Sequence, residues 1–317
     1  MSQNENFENT SQQTEPITPE DLPQLPPEAI SLESEQAPLF ESWSQSVIVP
    51  PTRIPHLGHL CIFITLGLVG TLCGVLMMLL GAYLHLFGVT SLDKMGTEIH
   101  FLLGGEAIIY LVTLALSFWI FPLFWNMGFL DGIHWRGATA LKHYKLLVAT
   151  AVGCFGLAML DEWLLPGPSN APIEEMFRSP GAAWLLFAFG ISFAPLFEEV
   201  AFRGFLLPSL ATACDWVVER ITHKPVQPLD ENGHPQWSMP AMVIASLATS
   251  LPFALVHREQ QGNSIGPFVL LIVISMVLCA ARLKTRSLAA STLLHSCYNF
   301  LLFTFMLIGT GGFKHLN

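Results

Sequence analysis

Charge is what this sequence has least of: 12% of its 317 residues are charged, where a soluble domain carries about 25%. That shortage excludes an ordinary water-soluble globule and points to lipid as the surrounding medium. The charge that exists is unevenly placed. Residues 1–52 hold nine acids, from Glu5 to Glu41, and no Lys or Arg. Setting them aside reduces a net charge of −10 to 15 acids against 14 bases from Arg53 onward. No basic face for nucleic acid is left. Cysteine is sparse and unpaired in pattern. Cys61, Cys73, Cys154, Cys214, Cys279 and Cys297 include no CxxC and lie in or beside apolar runs, so they read as small core residues and not as a disulfide or zinc framework. The first 50 residues lack the basic n-region and apolar h-region of a secretory signal, so the first span is expected to target the chain.

What is there divides by composition. Residues 1–52 add eight prolines to their nine acids. Low hydrophobicity with charge of one sign leaves too little surface to bury, and a disordered tail is expected. Residues 53–179 read as accessory spans and loops, 180–309 as the functional core, and 310–317 as a short C-terminal tail. About 20 apolar residues cross a bilayer. Runs of that kind occupy roughly 57–88, 99–125, 144–165, 182–213, 239–257, 266–283 and 287–309. Trp125, Trp163, Trp184, Trp216 and Trp237 stand at their ends, as in interfacial belts. Gly67, Gly70, Gly74, Gly104 and Gly105 suit close helix packing. The expected fold is all-α, a polytopic bundle of about seven spans enclosing a polar cavity within the membrane.

Basic residues set the orientation. Arg136 and Lys142 in 126–143, Arg220 and Lys224 in 214–238, and the Lys284-Thr285-Arg286 turn fall on the side of the N-terminus. The loop around 161–179 is acidic. A cytoplasmic N-terminus follows.

The later spans contain groups that lipid does not tolerate. Glu198, Glu199 and Arg203 lie inside the fourth, and one charge near mid-membrane costs about 2.5–3.5 kcal/mol on insertion scales. On a helix Glu199 and Arg203 share a face and can pair. Glu198 is turned about 100° from Glu199 and cannot share Arg203 equally. One carboxylate is left over, which suits a general acid or base. His257 closes the fifth span, while His295 and Asn299 project from one face of the seventh. Cys297 and Ser296 are rotated away from His295, which argues against a cysteine or serine nucleophile paired with it. His257 at a span end sits at a different depth from a mid-span Glu198, and straight helices would hold them about ten or more Å apart.

Glu198-Glu199-x-x-x-Arg203, Phe253-x-x-x-His257 and His295-x-x-x-Asn299, in this order, resemble the three motifs of the CPBP intramembrane proteases. That family includes type II CAAX prenyl endopeptidases and bacterial bacteriocin-processing or self-immunity proteins. The resemblance covers about residues 180–305. It implies proteolysis within the membrane, with Glu198 activating water, His257 assisting, and His295 and Asn299 stabilising the oxyanion. Glu199, Arg203 and Phe253 would be supporting residues.

A metal variant stands beside this. Glu198, His257 and His295 are also a ligand set for hydrolytic zinc, although HExxH spacing is absent and Asn299 is a poor ligand, so no cofactor is favoured. A non-catalytic immunity or transport protein is the alternative of another class. Asn299 separates the two, because a proton relay is better served by an acid there. The expected partners are a peptide or lipidated-protein substrate and membrane lipid, in the plasma (inner) membrane if the source is bacterial.

Overall fold

Helices long and apolar enough to cross a membrane are seven among the described residues, and they are the seven that hydropathy predicts. The computed structural model describes residues 53–89, 98–165, 180–224 and 236–309, together with Ser91 and Met95. The chain divides into Met1–Pro50 and Pro51–Asn317. The first unit, and with it nearly all of the expected disordered tail, lies outside the described residues, as do 166–179, 225–235 and 310–317. No strand occurs among the described residues.

The first spans are α1 (Leu57–Tyr83) and α2 (Ile99–Trp125). They pack backbone to backbone because glycine permits it. A methyl on Gly70 would stand 2.7 Å from the Ile109 carbonyl, and one on Gly74 3.0 Å from that of Gly105. Gly67 and Gly104 do not share this role, since nothing lies within 4 Å of either.

Residues 126–143, expected as a loop, form two short helices, α3 (Phe129–Gly132) and α4 (Gly137–Lys142). Apolar residues explain the difference. Phe129 and Ile133 are buried against Phe121, Phe205 and Leu288, so the segment is drawn into the bundle. α5 (Tyr144–Leu164) follows.

The fourth span runs over Ala183–Thr222, 40 residues, or about 60 Å if straight, twice the hydrocarbon thickness. It is not straight. α6 (Pro180–Ile191) stops at Ser192, whose φ of −126° and ψ of −73° are not helical, and α7 (Phe193–Glu199) restarts the chain. Pro195 supplies the cause: it has no N–H for the Ile191 carbonyl and its ring crowds that carbonyl, yet it is tolerated in the first turn of α7. Val200–Leu206 is then π-helical before α8 (Leu207–Thr222). Wide turns of this kind occur often at functional sites.

α9 (Met239–His257), α10 (Ile265–Thr285) and α11 (Leu288–Gly309) complete the bundle. Buried Asp215 of α8 fixes the start of α9, accepting from Ser238 N at 2.9 Å and Ser238 Oγ at 2.5 Å. α11 begins inside the bundle: Leu288 N donates to the His134 carbonyl at 3.0 Å, and Ser287 Oγ to that of Arg136 at 2.8 Å.

Candidate active site

His257 is the last residue of α9, eighteen positions beyond Met239, whereas His295 is only seven beyond Leu288. At 1.5 Å per residue the difference is about 16 Å along the helices. The recessed start of α11 therefore brings His295 level with the far end of α9. The break at Ser192 bends the chain just before Glu198. These two features remove the depth mismatch that straight helices imply.

Three side chains from three spans meet. Glu198 Oε1 lies 3.7 Å from His257 Nε2, and Glu198 Oε2 lies 3.7 Å from His295 Nε2. Such separations exceed a direct hydrogen bond and are of the kind that a shared water spans. His257 Nδ1 donates to the Phe253 carbonyl at 2.7 Å. A carbonyl only accepts, so Nδ1 carries a proton and Nε2 is the nitrogen turned toward Glu198.

The second carboxylate has a different setting. Glu199 and Arg203 are fully buried, and Arg203 Nη1 donates to Glu199 Oε1 at 2.9 Å, which is the i,i+4 pair expected from the spacing. Arg203 Nη2 also donates to the Ser275 carbonyl at 3.1 Å and to Ser275 Oγ at 2.6 Å on α10. Its guanidinium carbon lies 4.6 Å from the centre of the Phe253 ring. One arginine thus ties the fourth span to the fifth and sixth. Phe253, 1% exposed, has its ring centre 4.8 Å from that of His257 and 5.9 Å from that of His295.

Asn299 is placed less simply. Its Nδ2 donates to the Gly190 carbonyl at 2.8 Å. Gly190 is near the end of α6, where the last helical carbonyls lack partners of their own. One amide hydrogen is therefore committed to joining α11 and α6, and the other is what remains for a ligand.

Residues 180–301 match the family model described as Type II CAAX prenyl endopeptidase Rce1-like. This segment is similar to that family, over less than half of the chain. No curated protein and no solved structure matches the chain. The Rce1-like segment starts with α6 and ends in α11, so it contains Glu198, His257, His295 and Asn299. Spans α1, α2 and α5 lie outside it.

One part of the site comes from outside the Rce1-like segment and was not anticipated. Glu106 on α2 accepts from Tyr110 Oη and lies within electrostatic reach of Glu198 and His257. The Tyr110 ring stacks on Phe197, centre to centre at 3.9 Å. The available signal was an acid and a tyrosine four apart in an otherwise apolar span, a pairing that meets on one face.

The zinc alternative needs three donors closing around one point at about 2.0–2.2 Å each. Among the described residues no group of three or more His, Cys, Asp and Glu side chains is arranged in that way. Glu198, His257 and His295 are the residues that would hold a zinc.

Proposed function

We propose that the chain is an intramembrane endopeptidase cleaving a peptide or lipidated-protein substrate, with Glu198 as the base that activates water. The observation that carries this reading is the pair of 3.7 Å contacts from Glu198 to two Nε2 atoms on different spans. Hydrolysis of an amide needs a group to take the water's proton, a group to share and return it, and donors facing the oxyanion. Glu198 takes the proton. His257, held in one tautomer by the Phe253 carbonyl, is set to share it and to pass it to the leaving amine. His295 and the second amide hydrogen of Asn299 face the oxyanion. To donate there His295 must carry a proton on Nε2 as well as on Nδ1, and Nδ1 lies 3.0 Å from the Glu199 oxygen that it shares with Arg203.

The gathering of Arg53, Arg136, Lys284 and Arg286 at one end of the bundle supports a cytoplasmic placement for that end and for the N-terminus. A prenylated peptide is the substrate that the family description brings forward.

The test is cleavage of a fluorogenic prenylated CAAX peptide by the full chain in proteoliposomes, beside the same peptide unprenylated. Glu198→Gln, nearly isosteric, should abolish cleavage and leave the melting temperature near wild type. Wild-type rates in that variant would remove Glu198 from the chemistry and the reading with it. Metal content by elemental analysis, with activity measured before and after chelation, decides between the glutamate mechanism and the zinc alternative. Full activity in metal-free protein is the expected result.

A further inference from the structure

A cavity of about 930 Å³ opens at the end of the bundle where α1 and α9 begin and α10 ends. It is as large as the roomier sites for small ligands. None of Glu198, His257, His295 and Asn299 lines it.

Its walls are of two kinds. One is apolar, with Trp237, Met242 and Met276; the other is cationic, with Arg136, Arg282, Lys284 and Arg286. Asp131 is the carboxylate among the lining residues. Arg282 is the unusual member. It is 3% exposed, and a guanidinium has five N–H donors to satisfy. Its Nη2 makes one long bond, 3.4 Å, to the Ile133 carbonyl, while Nε has no partner among the described residues. Arg282 forms no ion pair with a carboxylate among the described residues. A buried cation left in this state is costly unless an anion completes it.

We propose that this cavity binds the phosphate-bearing headgroup of an anionic phospholipid, with Arg282 on the phosphate and the upper acyl chain against Trp237 and Met242. Charge complementarity selects an anion, and the planar fork of arginine matches phosphate geometry. The adjoining apolar wall, in a chain surrounded by lipid, selects an amphiphile over a free ion. The site is independent of the protease reading.

The test is native mass spectrometry of the full chain in detergent, titrated with phosphatidylglycerol, phosphatidylcholine and inorganic phosphate. Saturable binding of phosphatidylglycerol is expected, weakened at least about tenfold by Arg282→Gln, the loss of a charge-assisted bond. If that variant does not fold, Lys284→Gln with Arg286→Gln keeps the charge test. Met242→Trp, which fills the apolar side, should weaken lipid binding with every charge intact. Equal binding of phosphatidylcholine, full displacement by inorganic phosphate, or no weakening in the folded charge variants would overturn the proposal.

Discussion

His295 donates from Nδ1 to Glu199 Oε1 at 3.0 Å. The same oxygen accepts from Arg203 Nη1 at 2.9 Å, so Glu199 orients an imidazole and anchors an arginine at once. On the proposed reading, neighbouring carboxylates have separate duties, Glu198 toward the reacting space and Glu199 toward the frame. Glu199→Gln should lower stability, because removing one partner of a buried ion pair costs about 3–5 kcal/mol. The check is thermal unfolding in detergent, where Glu199→Gln should melt well below Glu198→Gln. Equal melting temperatures would contradict the division.

Phe253 is the contact point of the whole site. Its ring lies under Arg203 and beside both histidines, and its carbonyl fixes the His257 tautomer. Phe253→Ala should cost about 3–5 kcal/mol through lost burial and the cavity left behind. Phe253→Leu keeps much of the volume but loses the face offered to the guanidinium, and should cost less. Unfolding in increasing denaturant of detergent-solubilised protein would rank the two. The carbonyl is unchanged in both, but leucine keeps more of the packing against His257 and His295, so cleavage in Phe253→Leu should fall less than in Phe253→Ala.

The Asn299 tether predicts an effect from a residue with no chemistry. A methyl on Gly190 would come within 2.4 Å of the Phe303 ring. Overpacking of this order costs about 1–3 kcal/mol. It would also move the carbonyl that Asn299 holds. Gly190→Ala should therefore lower kcat while leaving the Glu198 environment chemically intact. Asn299→Asp should be worse, because it sets a carboxylate against a carbonyl in place of a donor. Steady-state cleavage by the two variants checks the order.

Hydropathy alone made the seven spans legible, since lipid imposes one length on every crossing helix. The Glu199–Arg203 pair was legible too, because helical spacing decides it, and so was the isolation of Glu198 from that arginine. The meeting of Glu198 with His257 was not. It depends on where Pro195 interrupts the fourth span and on how far α11 is recessed behind the turn at Ser287, and both are tertiary features. The helices in 126–143 escaped for a related reason: Phe129 and Ile133 read as short apolar punctuation in a basic loop until Phe205 and Leu288 are placed against them. Glu106 and Tyr110 were passed over because a lone acid in a span carries no spacing that points to a partner on another helix.

That omission yields the last prediction. Tyr110 stacks on Phe197, the residue before Glu198, and also approaches Phe189 and Phe193, whose ring centres are each 5.8 Å away. The ring therefore packs against both α6 and α7, across the break at Ser192. Its hydroxyl is separately engaged with Glu106. The two contributions can be divided. Tyr110→Phe keeps the stack and loses the hydrogen bond, so cleavage should fall by less than about tenfold, in keeping with about 0.5–1.5 kcal/mol for one bond. Tyr110→Ala removes the brace, and a displacement of Glu198 by about 1 Å would cost about a hundredfold in kcat. KM should change little in either, because the ring supports the carboxylate proposed to react and not the substrate. Equal losses in the two variants would mean that the hydroxyl matters and the stacking does not, whereas wild-type kcat in Tyr110→Ala would show that α2 stands outside the site altogether.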